Sequence, residues 1–420
     1  MFFIRILLGG IILLLANSGV AVGLDSGHLK YQFQGVNIPS NSLFSTFIDS
    51  PSLDHNADAR LNFSADTQRP TNNWRGELHY QALLKQGDSV ELYKQLNVLE
   101  VVAPFFPSDS RRVMNLTDYI VDEYNRIAVQ RLDRLAVTYT GSNTVVKVGR
   151  QAISWGNGLI FNPMDFFNPF DPTAVDTEYK TGDDMLYSQY LFNNGADVQW
   201  VLVGRRDDNH KITRDVASTA LKFHGFLGSH EYDVLISEHY GDNIAALGGI
   251  WTVGGALLRT DLVTTQTSQE TYFSGVVNLA YSWVLWNKNM SGSLEYFRNG
   301  FGISSGNYRP LSLANEPELL KRLARSESFN LGRDYMGASV TLELHPLWQL
   351  TPNLFCNLND SSALFQLVSR NDIAENWQVL TSVNLPLGDD GSEFGGIDSG
   401  IPNRYLSFGA GLFMQLSWYF

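Results

Sequence analysis

The chain has 420 residues and a formal net charge of −13, which argues against nucleic acid as a partner. Its single cysteine, Cys356, excludes an intrachain disulfide and is interpreted as a small buried or lipid-facing hydrophobic residue. Aromatic residues make up 12% of the chain and there are 36 glycines. This mixture is typical of many strands joined by turns.

The N-terminus has the pattern of a secretory signal peptide. Arg5 supplies a short positive region, residues 6–15 an apolar stretch, and residues 21–23 (AVG) a small-residue cleavage site. The alternative, an uncleaved membrane anchor, requires a longer apolar run. We therefore expect a signal peptide over residues 1–23 and a single domain over residues 24–420, in which no apolar run is long enough for a membrane helix.

Segments of about ten residues that alternate between apolar and polar side chains recur along the mature chain. Clear examples are 59–66, 74–84, 273–283 and 336–344. One face of each carries Trp, Tyr, Phe and Leu, and the other face is polar. An apolar outer face around a polar interior fits lipid outside and water inside, whereas a soluble β-sandwich requires an apolar interior.

The connections between these segments alternate in length. Tight turns fall at 141–143, 193–195, 227–229, 253–255 and 287–289, and the long connections include 36–55, 85–126, 154–185, 303–332 and 387–402. Two long connections contain helical patterns, over 108–125 and over 316–323 with Asn315 as the N-cap. The sequence predicts an all-β fold, a transmembrane antiparallel β-barrel of about 18 strands (range ~16–20) with short periplasmic turns and long extracellular loops.

The C-terminus ends on a strand pattern. From Leu406 to Phe420 every second residue is apolar. This end resembles the closing strand of Gram-negative outer-membrane β-barrels, whose terminal Phe is read by the barrel-assembly machinery. The resemblance implies that Trp418 and Phe420 form an assembly signal. It also implies a location in the outer membrane of a Gram-negative bacterium, with outer-membrane lipid, lipopolysaccharide and the assembly machinery as partners.

Residues 149–172 read GRQAISWGNGLIFNPMDFFNPFDP. The GRQ-x-x-x-WG sequence followed by Asn-Pro-x-Asp resembles a motif of the alginate-export porins and of a related family of uncharacterised barrels. The resemblance implies a porin-like channel of eighteen strands. The alginate exporters have a basic pore, whereas the inward charges predicted here are mixed in sign and the loops are acidic. Alginate is therefore not the expected solute.

The loop 156–185 combines phenylalanine, proline and acidic residues. We expect it either to fold into the lumen, with its phenylalanines on the inner wall and its acids at a narrowed pore, or to roof the rim of the barrel. A calcium site at Asp165 and Asp171 is a weaker alternative, because the spacing matches no known calcium loop. The candidate pore and constriction residues are Arg150, Trp155, Asp165, Asp171, Asp176, Glu178, Asp183, Asp184, Arg134, Asp197, Arg205, Lys222, Arg259 and Asp261.

The sequence carries no motif for catalysis or for a cofactor. HExxH, a glycine-rich phosphate loop and a cysteine metal site are lacking, and the nearest approach to an acid–base pair is His239 close to Asp242. We predict a channel that passes small solutes and is not an enzyme. The alternatives are an export barrel that works with a periplasmic partner and a structural or adhesive barrel. The sequence leaves the solute, the direction of transport and the oligomeric state open.

Overall fold

A computed structural model describes residues 21–69, 71–95 and 106–420. The strands of this part of the chain are β1 (Ala21–Val36), β2 (Ser52–Asp66), β3 (Asn73–Gly87), β4 (Thr117–Glu123), β5 (Arg126–Thr140), β6 (Thr144–Gln151), β7 (Asp183–Leu191), β8 (Asp197–Val203), β9 (Ser218–Leu227), β10 (His230–His239), β11 (Asp242–Val253), β12 (Ala256–Gln266), β13 (Thr271–Leu285), β14 (Lys288–Arg298), β15 (Asp334–His345), β16 (Trp348–Asn357), β17 (Ser362–Ala374), β18 (Trp377–Leu387), β19 (Ile397–Asp398), β20 (Tyr405–Leu406) and β21 (Gly411–Tyr419). The α-helices are α1 (Asp88–Gln95), α2 (Pro310–Ala314) and α3 (Pro317–Ala324), and short 3₁₀ helices cover Leu43–Thr46 and Arg214–Val216.

Eighteen of these strands form one closed antiparallel barrel, so the predicted fold class and strand number are confirmed. Neighbouring strands follow chain order, and β21 closes the barrel by pairing with both β1 and β18. The alternating pattern explains the closure. On β13, Val277 and Leu279 are 44% and 47% exposed on the outer face, whereas Asn278 between them is fully buried on the inner face.

The wall between β5 and β7 departs from a simple meander. The C-terminal half of β5 pairs with β6, but its first residues, 126–131, pair with β4 instead. The predicted helix over 108–125 is therefore wrong. Residues 117–123 form a strand because they supply the backbone hydrogen-bond partners that residues 126–131 of β5 would otherwise lack. Beside the first half of β5, the short β4 and the preceding segment 106–116 therefore take the place that β6 occupies beside the second half.

Three other expectations change. Asn315 is the C-cap of α2 and does not cap α3, which starts at Pro317, since proline is favoured in the first turn of a helix. The closing strand begins at Gly411, whereas the alternating pattern begins at Leu406, because residues 405–406 pair with β19. The predicted signal peptide lies outside the described residues except for residues 21–23, which are part of β1. No helix of the described residues is long and apolar enough to cross a membrane.

Residues 152–182 connect β6 to β7 and are called the inner loop below. Gln151 and Asp183, the residues at its two ends, lie opposite each other in the β6–β7 ladder. The segment therefore leaves the wall and returns to the same place. Its contacts, described next, are with inward-facing side chains on many strands of the barrel. The loop predicted over 156–185 is thus four residues longer at its start and three shorter at its end.

Candidate channel and its inner loop

A glycine turn begins the inner loop and fixes it to β12. Gly156 has φ +99°, and a Cβ on Gly158 would lie 2.0 Å from the carbonyl oxygen of Phe161, so both positions need glycine. The turn presents Asn157 to Asp261, an inward residue of β12. The Asn157 backbone N–H donates to Asp261 Oδ2 at 2.7 Å, and its side-chain amide donates to Oδ1 at 2.7 Å.

Glu295 on β14 holds the next residues of the loop. Its carboxylate is fully buried and accepts hydrogen bonds from the backbone N–H groups of Leu159 at 2.9 Å, Ile160 at 3.2 Å and Phe161 at 2.6 Å. Asn278 donates to the same carboxylate at 2.9 Å. Four donors satisfy a buried anion without a cation, so Glu295 anchors the loop and is not a free pore charge. No sequence pattern indicates that backbone N–H groups of a distant loop surround this acid.

Replacement of Glu295 by glutamine is expected to loosen this anchor. The amide keeps a single acceptor oxygen and places its own N–H groups against backbone donors, at a cost of about 1–3 kcal/mol. Hydrogen–deuterium exchange of residues 157–164 should rise in the variant. The matched control is Glu343→Gln. Glu343 lies near the periplasmic end of β15 and accepts a hydrogen bond from Asn289, so this change should leave the exchange of residues 157–164 unchanged. Equal exchange in E295Q and the native chain would contradict the assignment.

The phenylalanines of the repeated Phe-Asn-Pro-x-Asp sequence pack against two different parts of the inner wall. Phe161 stacks on Phe297 of β14, with ring centroids 4.7 Å apart. Phe167 is 2% exposed and packs, together with Trp155, in an apolar cluster with Val201 and neighbouring residues of β7 to β12. The aromatic residues are thus buried without regular secondary structure, because the inner wall itself is apolar there.

The second half of the inner loop reaches the remaining wall. Gln366 of β17 donates to the carbonyl oxygen of Thr173 at 2.8 Å. Lys30 of β1 lies 2.6 Å from both Asp176 and Glu178. Asn62 of β2 donates to the Tyr179 hydroxyl at 2.8 Å. With the anchors on β12 and β14, these contacts show that the loop spans the interior of the barrel.

Asp165 and Lys180 join the two halves of the inner loop. The Lys180 ammonium lies 2.6 Å from both oxygens of the Asp165 carboxylate. Burial raises the pKa of Asp165 to about 6 although Lys180 acts in the opposite direction, and burial lowers the pKa of Lys180. Asp165 is therefore neutralised within the protein and offers no free carboxylate to calcium. Among the described residues, no group of three or more His, Cys, Asp or Glu side chains is arranged to hold a metal ion.

An open cavity of about 730 Å³ lies between the inner loop and the periplasmic half of β12 to β17. Hydroxyl and amide groups cover much of its wall, contributed by Ser282, Ser293, Ser339, Thr341, Thr351, Asn353 and Gln366. Its charged side chains are Asp165, Asp171, Arg259 and Arg370. Because Lys180 neutralises Asp165, and neither arginine has an ion pair with a described residue, this part of the interior is weakly positive.

Three of the predicted pore residues, Asp165, Asp171 and Arg259, line this cavity. Trp155 is buried and donates to Gln199, and Asp261 binds Asn157. Asp197 accepts from Gln199, and Lys222 pairs with Asp233 at 3.0 Å. The other predicted residues form buried or half-buried ion pairs within the protein, namely Arg134 with Asp133, Arg150 with Asp109 and Asp184, Asp183 with Arg205, and Asp176 and Glu178 with Lys30. Arg370, which is not among the predicted pore residues, also lines the cavity.

His239 does not pair with Asp242, the acid that the sequence places closest to it. Its Nδ1 lies 2.8 Å from Ser218 Oγ and its Nε2 2.9 Å from Glu327 Oε1, whereas Asp242 pairs with Arg322. The order Ser–His–Glu is that of a hydrolase triad. Ser218 and His239 are 2% and 3% exposed, and Arg205 also donates to the Ser218 hydroxyl. The network fixes the loop that carries Glu327 to β9 and β10.

Trp418 and Phe420 lie on the outer face of the closing strand. The Trp418 ring stacks on Trp377 of β18 with centroids 6.1 Å apart and contacts Phe420 at 4.8 Å. The last backbone groups of Phe420 bond to Gly27 of β1. The C-terminus thus completes the barrel, and its reading by assembly machinery stays a prediction.

A comparison with known protein families finds no match, and a comparison with curated proteins finds none. Solved structures share the fold. OccK5 (OpdH) of Pseudomonas aeruginosa aligns with a TM-score of 0.53 at 8% identity, over 94% of this chain and 98% of that chain. OccAB4 of Acinetobacter baumannii gives 0.51 at 8% identity over 94% and 97%, and OccK8 (OprE) of P. aeruginosa gives 0.51 at 7% over 96% and 98%. The chain therefore has the fold of an eighteen-stranded outer-membrane porin barrel.

Proposed function

We propose that this chain is a channel of the outer membrane that passes small solutes, and that the inner loop sets the width of the passage. The observation that carries the proposal is the open polar cavity between the inner loop and β12 to β17. An apolar outer surface around a hydrated interior is the arrangement of a porin. Under this proposal no catalytic activity is expected, and the buried position of Ser218 and His239 supports that view.

The barrel fold shared with the porins of the Occ and OprE type supports the proposal. The narrower relation to the alginate-export porins rests on the motif over 149–172 alone. No contact in the described residues favours export over uptake, so a passive channel is the simpler function. A partnership with lipopolysaccharide or with a periplasmic protein remains a further proposal.

The charges of the cavity provide a test of the channel. Arg259 and Arg370 lack an acidic partner among the described residues, so they should attract anions into the passage. The variant Arg259→Gln with Arg370→Gln is expected to shift the zero-current potential in a salt gradient toward that of a cation-preferring channel. Asp171→Ala should shift it the opposite way.

The matched control is Arg298→Gln, which removes an exposed cation that pairs with Asp334 near the extracellular end of β14. This change should leave the potential where it is in the native chain. Unchanged potentials in the double arginine variant, with currents still present, would place the conducting path elsewhere.

A further inference from the structure

A β-bulge concentrates charge on one part of the inner wall. His79 of β3 is paired with Arg134 of β5, whereas the next residue, Tyr80, is paired with Leu132, so Asp133 is the extra residue. The bulge reverses the alternation of β5 at this point. Arg131, the extra residue Asp133 and the following Arg134 therefore all point inward. They are 4%, 3% and 9% exposed.

One carboxylate serves three guanidinium groups here. Asp133 Oδ2 lies 2.9 Å from Arg60 Nη1 and 2.7 Å from Arg134 Nη1, and Asp133 Oδ1 lies 2.9 Å from Arg131 Nη2. Arg60 is 3% exposed. Burying cations without counter-charge is costly, so two positive charges beyond the single carboxylate need an explanation.

The neighbouring acids do not supply the missing negative charge. The buried ion pairs around the bulge and above β6 form two separate groups among the described residues, with six arginines and four carboxylates in all, and the three carboxylates other than Asp133 pair with Arg112, Arg150 and Arg205. The arginines are Arg60, Arg112, Arg131, Arg134, Arg150 and Arg205, and the carboxylates are Asp109, Asp133, Asp183 and Asp184. Glu77, which lies near Arg134, is paired with Lys147 at 2.5 Å.

The inner loop does not supply it either. The carboxylates of the loop that approach this wall are held by lysines, Asp165 by Lys180 and Asp176 and Glu178 by Lys30. The loop contributes the Tyr179 ring, which lies 3.7 Å from the Arg60 guanidinium, and the carbonyl oxygen of Lys180, which accepts from Arg134 at 2.5 Å. Asp58, two residues from Arg60 on the same face, accepts from Gln81 at 2.8 Å and lies 3.9 Å from His28 Nε2.

Hydrogen-bond donors of the same side chains are also unsatisfied. The Nε groups of Arg60 and Arg131 are buried and have no hydrogen-bond partner, and Arg131 Nη2 approaches Asp133 without hydrogen-bond geometry. Buried polar groups are nearly always paired, so unpaired cationic donors on two arginines that share a carboxylate indicate a ligand between them. Such a ligand must be negative and must accept hydrogen bonds.

We propose that a small inorganic anion of halide size binds on the inner wall between Arg60 and Arg131, behind Tyr179 of the inner loop. The anion would accept from the Nε groups of both arginines and offset part of the excess positive charge around Asp133. A small monovalent anion is the ligand class to expect here, because Arg60, Arg131 and Asp133 are only 3–4% exposed. The inference does not depend on channel function, because the site lies in the wall behind the loop.

The primary test uses the native chain. Crystals soaked in sodium bromide should show an anomalous peak within hydrogen-bonding distance of the Arg60 and Arg131 guanidinium groups. A peak only at the exposed arginines of the cavity, Arg259 and Arg370, would overturn the proposal. Absence of any anomalous peak at Arg60 and Arg131, with ordered water in its place, would also overturn it.

Thermal unfolding supplies a second, independent readout. At equal ionic strength, the midpoint in sodium chloride should exceed that in sodium gluconate by about 2 °C or more, because chloride binds the folded chain and gluconate is too large to enter. Arg131→Gln should abolish this difference, whereas the control Arg370→Gln should retain it. Equal midpoints of the native chain in the two salts would contradict the site even if the chain conducts current.

Discussion

Replacement of Arg150 by methionine is expected to lower the free energy of unfolding by about 3–5 kcal/mol, because it leaves buried carboxylates without their counter-charge. Arg150 is 0% exposed. Its Nε donates to Asp184 Oδ1 at 2.8 Å, its Nη1 to Asp109 Oδ1 at 2.9 Å and its Nη2 to the carbonyl oxygen of Met114 at 2.6 Å. These bonds fasten segment 106–116 above the short strand β6. Equilibrium unfolding in guanidinium, followed by tryptophan fluorescence, measures the loss.

The matched control for this change is Arg370→Met. Arg370 is exposed to the cavity and has no ion pair with a described residue, so its removal should change the free energy of unfolding by less than about 0.5 kcal/mol. Equal losses for the two variants would show that the effect comes from the methionine or from the net charge and not from the buried network.

The same network gives a pH dependence with a definite sign. Burial alone would raise the pKa of Asp109, but Arg150 and Arg112 outweigh it and lower this pKa from 3.8 to about 2. The ionised carboxylate therefore stabilises the folded chain above pH 3.8, and this contribution is lost as the pH falls toward 2. The difference in unfolding free energy between the native chain and Arg150→Met should shrink over that window. A constant difference would contradict the role of Asp109.

Excision of the inner loop is expected to increase the single-channel conductance several-fold. Since Gln151 and Asp183 are paired across β6 and β7, a two-residue Asn-Gly turn in place of residues 152–182 can close these strands as an ordinary hairpin. The variant would remove the contacts that the inner loop makes across the lumen, including those to Glu295, Gln366 and Lys30. Single-channel recording in planar bilayers measures the change.

A control excision tests whether the change in conductance requires a loop inside the lumen or follows the removal of any loop. The exposed turn over 208–210 lies in the connection between β8 and β9, and its removal should leave the conductance at the native value. A shift in gel mobility on heating checks that each variant forms the barrel. Unchanged conductance after excision of the inner loop, in a correctly assembled barrel, would show that this loop does not limit the passage.

The barrel was predictable because its information is local. Alternation along β2, β13 and β15 and the short turns between strands each depend on a few adjacent residues, and together they determine strand number and orientation. The strand β4 was missed because it forms only by pairing with the first residues of β5, 126–131. The strand β6 is too short to reach these residues, so β4 takes its place beside them. Its own sequence, TDYIVDE, has no clear alternation.

The roles of the charged residues were less predictable, because their partners are distant in sequence. Asp165 was expected to be a pore charge, but Lys180 neutralises it across the loop. Arg150 was a candidate pore residue, but it is buried and pairs with Asp109 from another segment as well as with Asp184. The alternation of side chains along a strand predicts which side of the barrel wall a residue faces. It does not predict which opposite charge the fold brings to it.

The most direct test of the account is the ion current through the purified native chain in a planar bilayer, recorded beside the variant that lacks residues 152–182. The account predicts discrete current steps from the native chain and larger steps from the variant, since an open polar cavity lies between the inner loop and the wall. No current from either protein, with both assembled as heat-modifiable barrels, would contradict the proposal that this chain is a channel.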